Sequence, residues 1–98
     1  MGNKKRRRVK VFAVRTRTKI GRSEVDSVVF HCEELGVNSL GLAVTGGCIV
    51  LFNSNDPKSP KFTPSDIAVL AMGIKTKECA QLLTDNGLDA SALSCLAR

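Results

Sequence analysis

The sequence predicts an α+β fold, with a small β-α-β-β region followed by three short C-terminal helices. Three observations carry this prediction. Residues 9–20 are rich in β-branched residues and alternate with a period of two, and residues 37–52 contain two strand-like segments on either side of a Thr-Gly-Gly turn. The last third of the chain instead has apolar residues at helical spacing. A chain of 98 residues with 43% hydrophobic content suits one compact domain or two subdomains that share a core.

Changes in composition divide the chain into four predicted parts. These are a flexible basic arm at 1–8, a β-α-β-β subdomain at 9–53, a polar linker at 54–62 and a three-helix bundle at 63–98. The arm shows no apolar periodicity, and the linker is rich in Ser and Pro, which favour turns. We therefore expect secondary structure in the second and fourth parts.

The first subdomain is predicted to begin with a strand over 9–20, which ends at Gly21-Arg22. Ser23-Glu24-Val25-Asp26 then resembles a capping box, and apolar residues follow at helical spacing, so we expect one packed helix over about 24–35. Gly36 is typical of the position just past a helix end. A strand–helix–strand crossover makes the two flanking strands parallel if they share a sheet.

Two further strands are predicted at about 37–44 and 48–52, joined by the hairpin turn Thr45-Gly46-Gly47. The second of them, CIVLF, is apolar on both faces, so both of its sides are expected to be covered. A helix covers one side. The other cover is either the C-terminal helices or a second subunit of a homodimer, and the sequence leaves these two alternatives open.

The C-terminal third is predicted to form three short helices. Thr63 has the features of an N-cap, with a proline at the first helical position and Asp66 three residues after the cap. We expect this helix to continue to Gly73, a second helix to span about 76–85, and a third to begin at Asp89.

A small set of helical residues carries a resemblance to a known family. In chain order these residues are Met72-Gly73-Ile74, Leu82-Leu83, Asn86-Gly87, Ala92 and Leu96. Together they resemble a ubiquitin-associated (UBA) domain, a three-helix bundle whose first loop and third helix form the apolar patch that receives ubiquitin. The resemblance implies a protein-binding patch at Met72, Gly73, Ile74 and Leu96, with Ile74 in place of the family's usual aromatic residue.

Positive charge is concentrated at the start of the chain. Ten of the fifteen Lys and Arg residues lie in positions 1–22, which contain none of the nine Asp and Glu residues, so this segment carries about +10 and the rest about −4. Arg15, Arg17 and Lys19 would share one face of the predicted strand, about 6.6 Å apart. We therefore expect phosphate contacts from Lys4, Lys5, Arg6, Arg7, Arg8, Lys10, Arg15, Arg17, Lys19 and Arg22.

This charge partition predicts an RNA-binding protein that contacts phosphates without sequence specificity, within a ribonucleoprotein or in association with the ribosome. RNA is favoured over DNA because no predicted groove-reading helix is basic. The arm also fits a nuclear import signal or a solvated tail. The competing interpretation is a protein-interaction adaptor, in which the UBA-like bundle binds a partner and the arm determines localisation.

Other functional classes have little support in the sequence. The four cysteines lie 16, 31 and 16 residues apart in apolar surroundings, which favours buried thiols over a metal site or disulfides. No activated nucleophile or phosphate-cradling glycine loop points to an enzyme or to a cofactor. Arg6 stands where a myristoylation motif has Ser or Thr, and no apolar run approaches the roughly 20 residues of a membrane span. We therefore expect an intracellular protein of the cytoplasm or nucleus, without a membrane partner.

Overall fold

A computed structural model describes residues 9–53 and 61–97, with side chains up to Leu93. In these ranges the chain forms a four-stranded antiparallel sheet, two α-helices and a 3-10 helix. The strands pair in chain order and are β1 (Phe12–Ile20), β2 (Ser23–Cys32), β3 (Val37–Thr45) and β4 (Cys48–Asn53). The helices are α1 (Pro64–Gly73) and α2 (Lys77–Asp85), and the 3-10 helix spans Ala90–Ala97.

The predicted helix over about 24–35 is wrong, because most of these residues form β2. Gly21 and Arg22 make a two-residue hairpin loop between β1 and β2, with Ile20 opposite Ser23. Gly21 has a φ of +64°, the conformation that the first position of a type II′ hairpin loop requires. The two strands are therefore antiparallel neighbours, and the expected parallel crossover is wrong as well.

The hairpin between β3 and β4 confirms the prediction at Thr45-Gly46-Gly47. Thr45 lies opposite Cys48, and the two intervening glycines have φ values of +60° and +77°. A type I′ turn needs positive φ at both central positions, which glycine adopts at little cost. On β4, Ile49 and Phe52 point to opposite faces and are both buried.

The start of α1 also confirms its prediction. The Thr63 side chain accepts a hydrogen bond from the Asp66 backbone N–H at 3.1 Å, and the Thr63 N–H donates to the Asp66 carboxylate at 2.8 Å. This reciprocal capping box fixes where the helix begins. The second predicted helix is present as α2, which Thr76 caps.

Three α-helices in the C-terminal third is a wrong prediction, because the third segment is a 3-10 helix. The Ala92 N–H bonds to the Asp89 carbonyl three residues back, which is 3-10 spacing. The Asp89 side chain also accepts a hydrogen bond from the Ser91 N–H at 3.0 Å. Asp89 thus caps the first turn of this helix.

The helices cover one side of the sheet, here called the helix-facing face. It carries Val28 and Phe30 of β2 and Leu40 and Leu42 of β3, which are at most 1% exposed. α1 packs against β2 and β3, α2 against β1 and β2, and the 3-10 helix against β4. The sheet and the helices thus share one apolar cluster, to which the helices contribute Val69, Cys79, Leu82 and Leu83. The other side of the sheet, here called the outer face, carries Phe12, Val14, Val29 and His31.

Candidate nucleic-acid interface

The three cations of the predicted stripe do share one face of β1. Arg15, Arg17 and Lys19 lie opposite Val28, Asp26 and Glu24 of β2. Because Val28 belongs to the buried core, the stripe lies on the helix-facing face rather than on the outer one. The stripe therefore faces acidic residues of its own sheet.

Arg15 is held by two carboxylates. Its Nη2 donates to Oδ2 of Asp26 at 2.7 Å, and its Nη1 donates to Oδ2 of Asp85 in α2 at 3.0 Å. The Asn86 side-chain amide donates to the same Asp26 oxygen at 3.0 Å and to the Leu82 carbonyl at 2.8 Å. These four residues, Arg15, Asp26, Asp85 and Asn86, are called the Arg15 cluster below. They connect β1, β2 and the end of α2.

The charges of the Arg15 cluster stabilise one another. Burial alone would raise the pKa of Asp26, but hydrogen bonds from Arg15 and Asn86 and the Arg15 charge outweigh it, so this pKa is lowered. The pKa of Asp85 is lowered by hydrogen bonds from Gln81 and Arg15. The pKa of Arg15 is raised, first by its hydrogen bond to Asp26. All three groups are therefore charged at neutral pH, and Arg15 is engaged within the protein.

Arg17 is more accessible than Arg15. Its Nε lies 3.6 Å from a Glu24 carboxylate oxygen, and its Nη2 donates to the Glu24 carbonyl at 3.1 Å. The two side chains are 61% and 67% exposed. An exposed pair of this kind contributes little, about 0.2–1 kcal/mol, so a phosphate can compete for the Arg17 guanidinium.

The remaining described cations of the basic segment lie towards the two ends of β1. Lys10 precedes the strand, Lys19 lies near its end and Arg22 is in the hairpin loop; all three are exposed. A strand rises about 3.3 Å per residue, which separates Lys10 from Lys19 by about 30 Å. The five arm cations Lys4, Lys5, Arg6, Arg7 and Arg8 lie outside the described residues.

Phe12 is a feature of this region that sequence reasoning missed. It is 55% exposed on the outer face, opposite His31, and the Lys10 Nζ lies 6.0 Å from the centre of its ring. The chain has four Phe and no Trp or Tyr, a composition that does not indicate a base-stacking surface. The available signal was the alternation of β1, which placed Phe12 on the face opposite Arg15 without showing which face the helices would cover.

The UBA-like patch lies next to the protein's own core. Gly73 is buried with the Phe30 ring against it, and Ile74 is half-buried and packs on the same apolar cluster. Met72 is half-buried, and the Leu96 side chain lies outside the described ones. The structure therefore places Gly73 against the sheet and Ile74 against the apolar core, and ubiquitin binding at this patch stays a prediction.

Two of the described cysteines are buried, whereas the histidine is exposed. Cys32 and Cys79 are fully buried, and burial raises the pKa of the Cys79 thiol. His31 is exposed and Cys32 is buried, as expected for strand neighbours that point to opposite faces. Among the described residues, no group of three or more His, Cys, Asp and Glu is placed to hold a metal ion. In the same ranges, no helix has the length and apolar character to cross a bilayer.

No protein-family model, curated protein or solved structure matches this chain.

Proposed function

We propose that this protein binds RNA without sequence specificity, through phosphate contacts made by residues 1–22. The observation that carries this proposal is the charge partition, with ten cations and no carboxylate in this segment. Each phosphate that a Lys or Arg neutralises releases counterions, which supplies the affinity of non-specific binding. A role within a ribonucleoprotein or at the ribosome accords with such a segment.

The contacts of the cations divide them into two groups. Arg15 is fixed by Asp26 and Asp85, so its main role is to hold β1 in place. Lys10, Arg17, Lys19 and Arg22 are exposed and lie along β1 and its hairpin loop. With the five arm cations, these four are the phosphate contacts that we propose.

RNA is preferred over duplex DNA because the described helices lack a basic face. α1 carries no Lys or Arg, and α2 carries Lys77 together with Glu78 and Asp85. A helix that reads the major groove needs donors for base edges and phosphates along one face. An exposed strand with an aromatic residue suits flexible or structured RNA better.

The test has to keep β1 intact. Deleting residues 1–22 would remove a strand that pairs with β2 along its whole length, and replacing Arg15 would break the Arg15 cluster. We would therefore change the five arm cations to Gln in one variant, and Lys19 and Arg22 to Gln in another. The matched control changes Lys75 and Lys77, which are exposed in the helical part, to Gln.

Each chain would be titrated with single-stranded and duplex RNA at several salt concentrations. We expect the arm variant to bind more weakly, and its slope of log K against log salt to fall by about 0.7 for each lost single-strand phosphate contact. The Lys19/Arg22 variant should lose less, and the helical control should bind like the unchanged chain. Equal affinity and equal slope in all four proteins would overturn the proposal.

A further inference from the structure

We propose that Phe12, together with His31 and Lys10, forms a stacking site for an unpaired nucleobase on the outer face of the sheet. This inference rests on the proposed RNA binding and adds a preference for single-stranded segments. In this arrangement a base stacks on the outer face of β1, and Lys10 contacts a phosphate of the same strand.

The three side chains converge at one place. Phe12 and His31 are directly opposite in the β1–β2 register, a position at which β-carbons are about 4.5–5.5 Å apart. Phe12 is 55% exposed, and His31 is exposed beside it. The Lys10 Nζ lies 6.0 Å from the centre of the Phe12 ring, so a positive charge lies within reach of the same ring.

The exposure of Phe12 is not forced by the packing of β1. Its neighbours Val11 and Ala13 point to the helix-facing face and pack on the core. A polar residue would also fit at the outer-face position of Phe12. Thr16 and Thr18 occupy equivalent outer-face positions further along β1. The exposed ring at this position is free to stack on a partner with a flat face.

The positive charge of Lys10 beside the ring favours a nucleobase as that partner, because a base is attached to a phosphate backbone. Every base has a face that stacks on an aromatic ring regardless of its sequence, which accords with non-specific binding. A phosphate next to a stacked base would lie near Lys10, whose Nζ is 6.0 Å from the centre of the ring. An unpaired strand can present a base in this way, whereas a duplex keeps its bases stacked inside.

A protein partner fits this surface less well. The large apolar side chains exposed on the described outer face are Phe12 and Val14, at 55% and 60%. The exposed area of two side chains is far below the roughly 800 Å² per partner of a stable protein interface. The protein partner that the experiment below tests for is a second copy of this chain.

The composition of the chain allows a direct test. The protein has no Trp and no Tyr, so a Phe12→Trp variant contains a single Trp whose fluorescence reports on position 12 alone. Val14→Trp is the matched control, because it places the same reporter two residues along the same face. We expect a short oligouridylate to quench the emission of the Trp at position 12 to saturation, and the emission of the Trp at position 14 much less.

Affinity measurements on the full chain complete the test. Phe12→Ala should weaken binding of oligouridylate by about 5- to 150-fold, the range of one lost base–aromatic stack, and leave duplex binding unchanged. Phe12→Trp should bind at least as tightly as the unchanged protein. Because Phe12 is exposed, circular dichroism should show that these variants fold.

The outcomes separate this inference from the proposed function. Salt-dependent RNA binding with no quenching and no loss in Phe12→Ala would overturn the stacking site and leave the proposed function standing. Failure of the unchanged chain to bind any RNA would overturn both. A shift in the emission of Phe12→Trp that grows with protein concentration in the absence of RNA would show an interface between copies instead.

Discussion

Arg15 and Asp26 are bonded diagonally across two strands rather than as direct neighbours. The register places Asp26 opposite Arg17, yet its Oδ2 accepts a 2.7 Å hydrogen bond from the Arg15 Nη2. The diagonal brings Arg15 towards α2, where it also reaches Asp85. Arg15, which the sequence predicts to be a phosphate contact, thus connects β1 to α2.

Arg15→Met should destabilise the protein by about 1–3 kcal/mol, because it leaves the half-buried Asp26 carboxylate without its charged partner. Arg17→Met is the matched control, since its pair with Glu24 is exposed and contributes little. Urea unfolding of both variants measures the difference in the free energy of unfolding. Equal losses would show that Arg15 is no more structural than Arg17.

The stabilising effect of Arg15 should disappear in acid. The folded pKa of Asp26 is lowered from its ordinary value of 3.8, so its contribution is present above that pH and is lost as the pH falls through the lower folded pKa. The difference in unfolding free energy between the unchanged protein and Arg15→Met should therefore shrink below about pH 4. A difference that stays constant down to pH 2 would contradict the assignment to Asp26.

Gly73→Ala should destabilise the protein, although alanine normally favours a helix. A Cβ at this position would lie 2.7–2.9 Å from three atoms of the Phe30 ring, which is closer than van der Waals contact. Overpacking of this kind costs about 1–3 kcal/mol. Thr84→Ala, at an exposed position of α2, is the control and should change the melting temperature little. A gain of stability in Gly73→Ala would show that the helix does not press on Phe30.

The thiols of Cys32 and Cys79 should be protected from alkylation in the folded protein. Both are fully buried, and the raised pKa of Cys79 further reduces its thiolate fraction. Peptide mass spectrometry after brief iodoacetamide treatment would show little label on either residue, and full label on both after unfolding in urea. Rapid native labelling of Cys79 would place it outside the core.

Elements with local signals could be predicted from the sequence. The capping box at Thr63 and the two glycines after Thr45 act within a few residues, so their effects are visible without knowing the fold. The helix prediction over about 24–35 is wrong because the apolar residues there fit both the helical period of 3.6 and the strand period of 2. Val25, Val28, Val29 and Cys32 fit a helical stripe, whereas β-branched and aromatic residues after a tight Gly21 turn favour a strand.

The charge pairing of the site is also not predictable from the sequence. A helix over residues 24–35 places no carboxylate beside the stripe on β1, whereas the strand β2 brings Asp26 next to it. Asp85 is 70 residues from Arg15 in the sequence, and no local pattern indicates such a contact. The exposure of Phe12 was equally hidden, because both faces of β1 begin with apolar residues and only the packing of the helices distinguishes them.

The position of β1 in the sheet has a consequence for solubility. In the described sheet β1 is an edge strand. The backbone N–H and C=O groups on its unpaired side can form hydrogen bonds with a strand of another chain. Arg17 and Lys19 are exposed on β1, so two β1 strands that approached each other would bring these like charges together. The same cations thus act as gatekeepers against edge-to-edge aggregation, and high salt, which screens them, should promote aggregation.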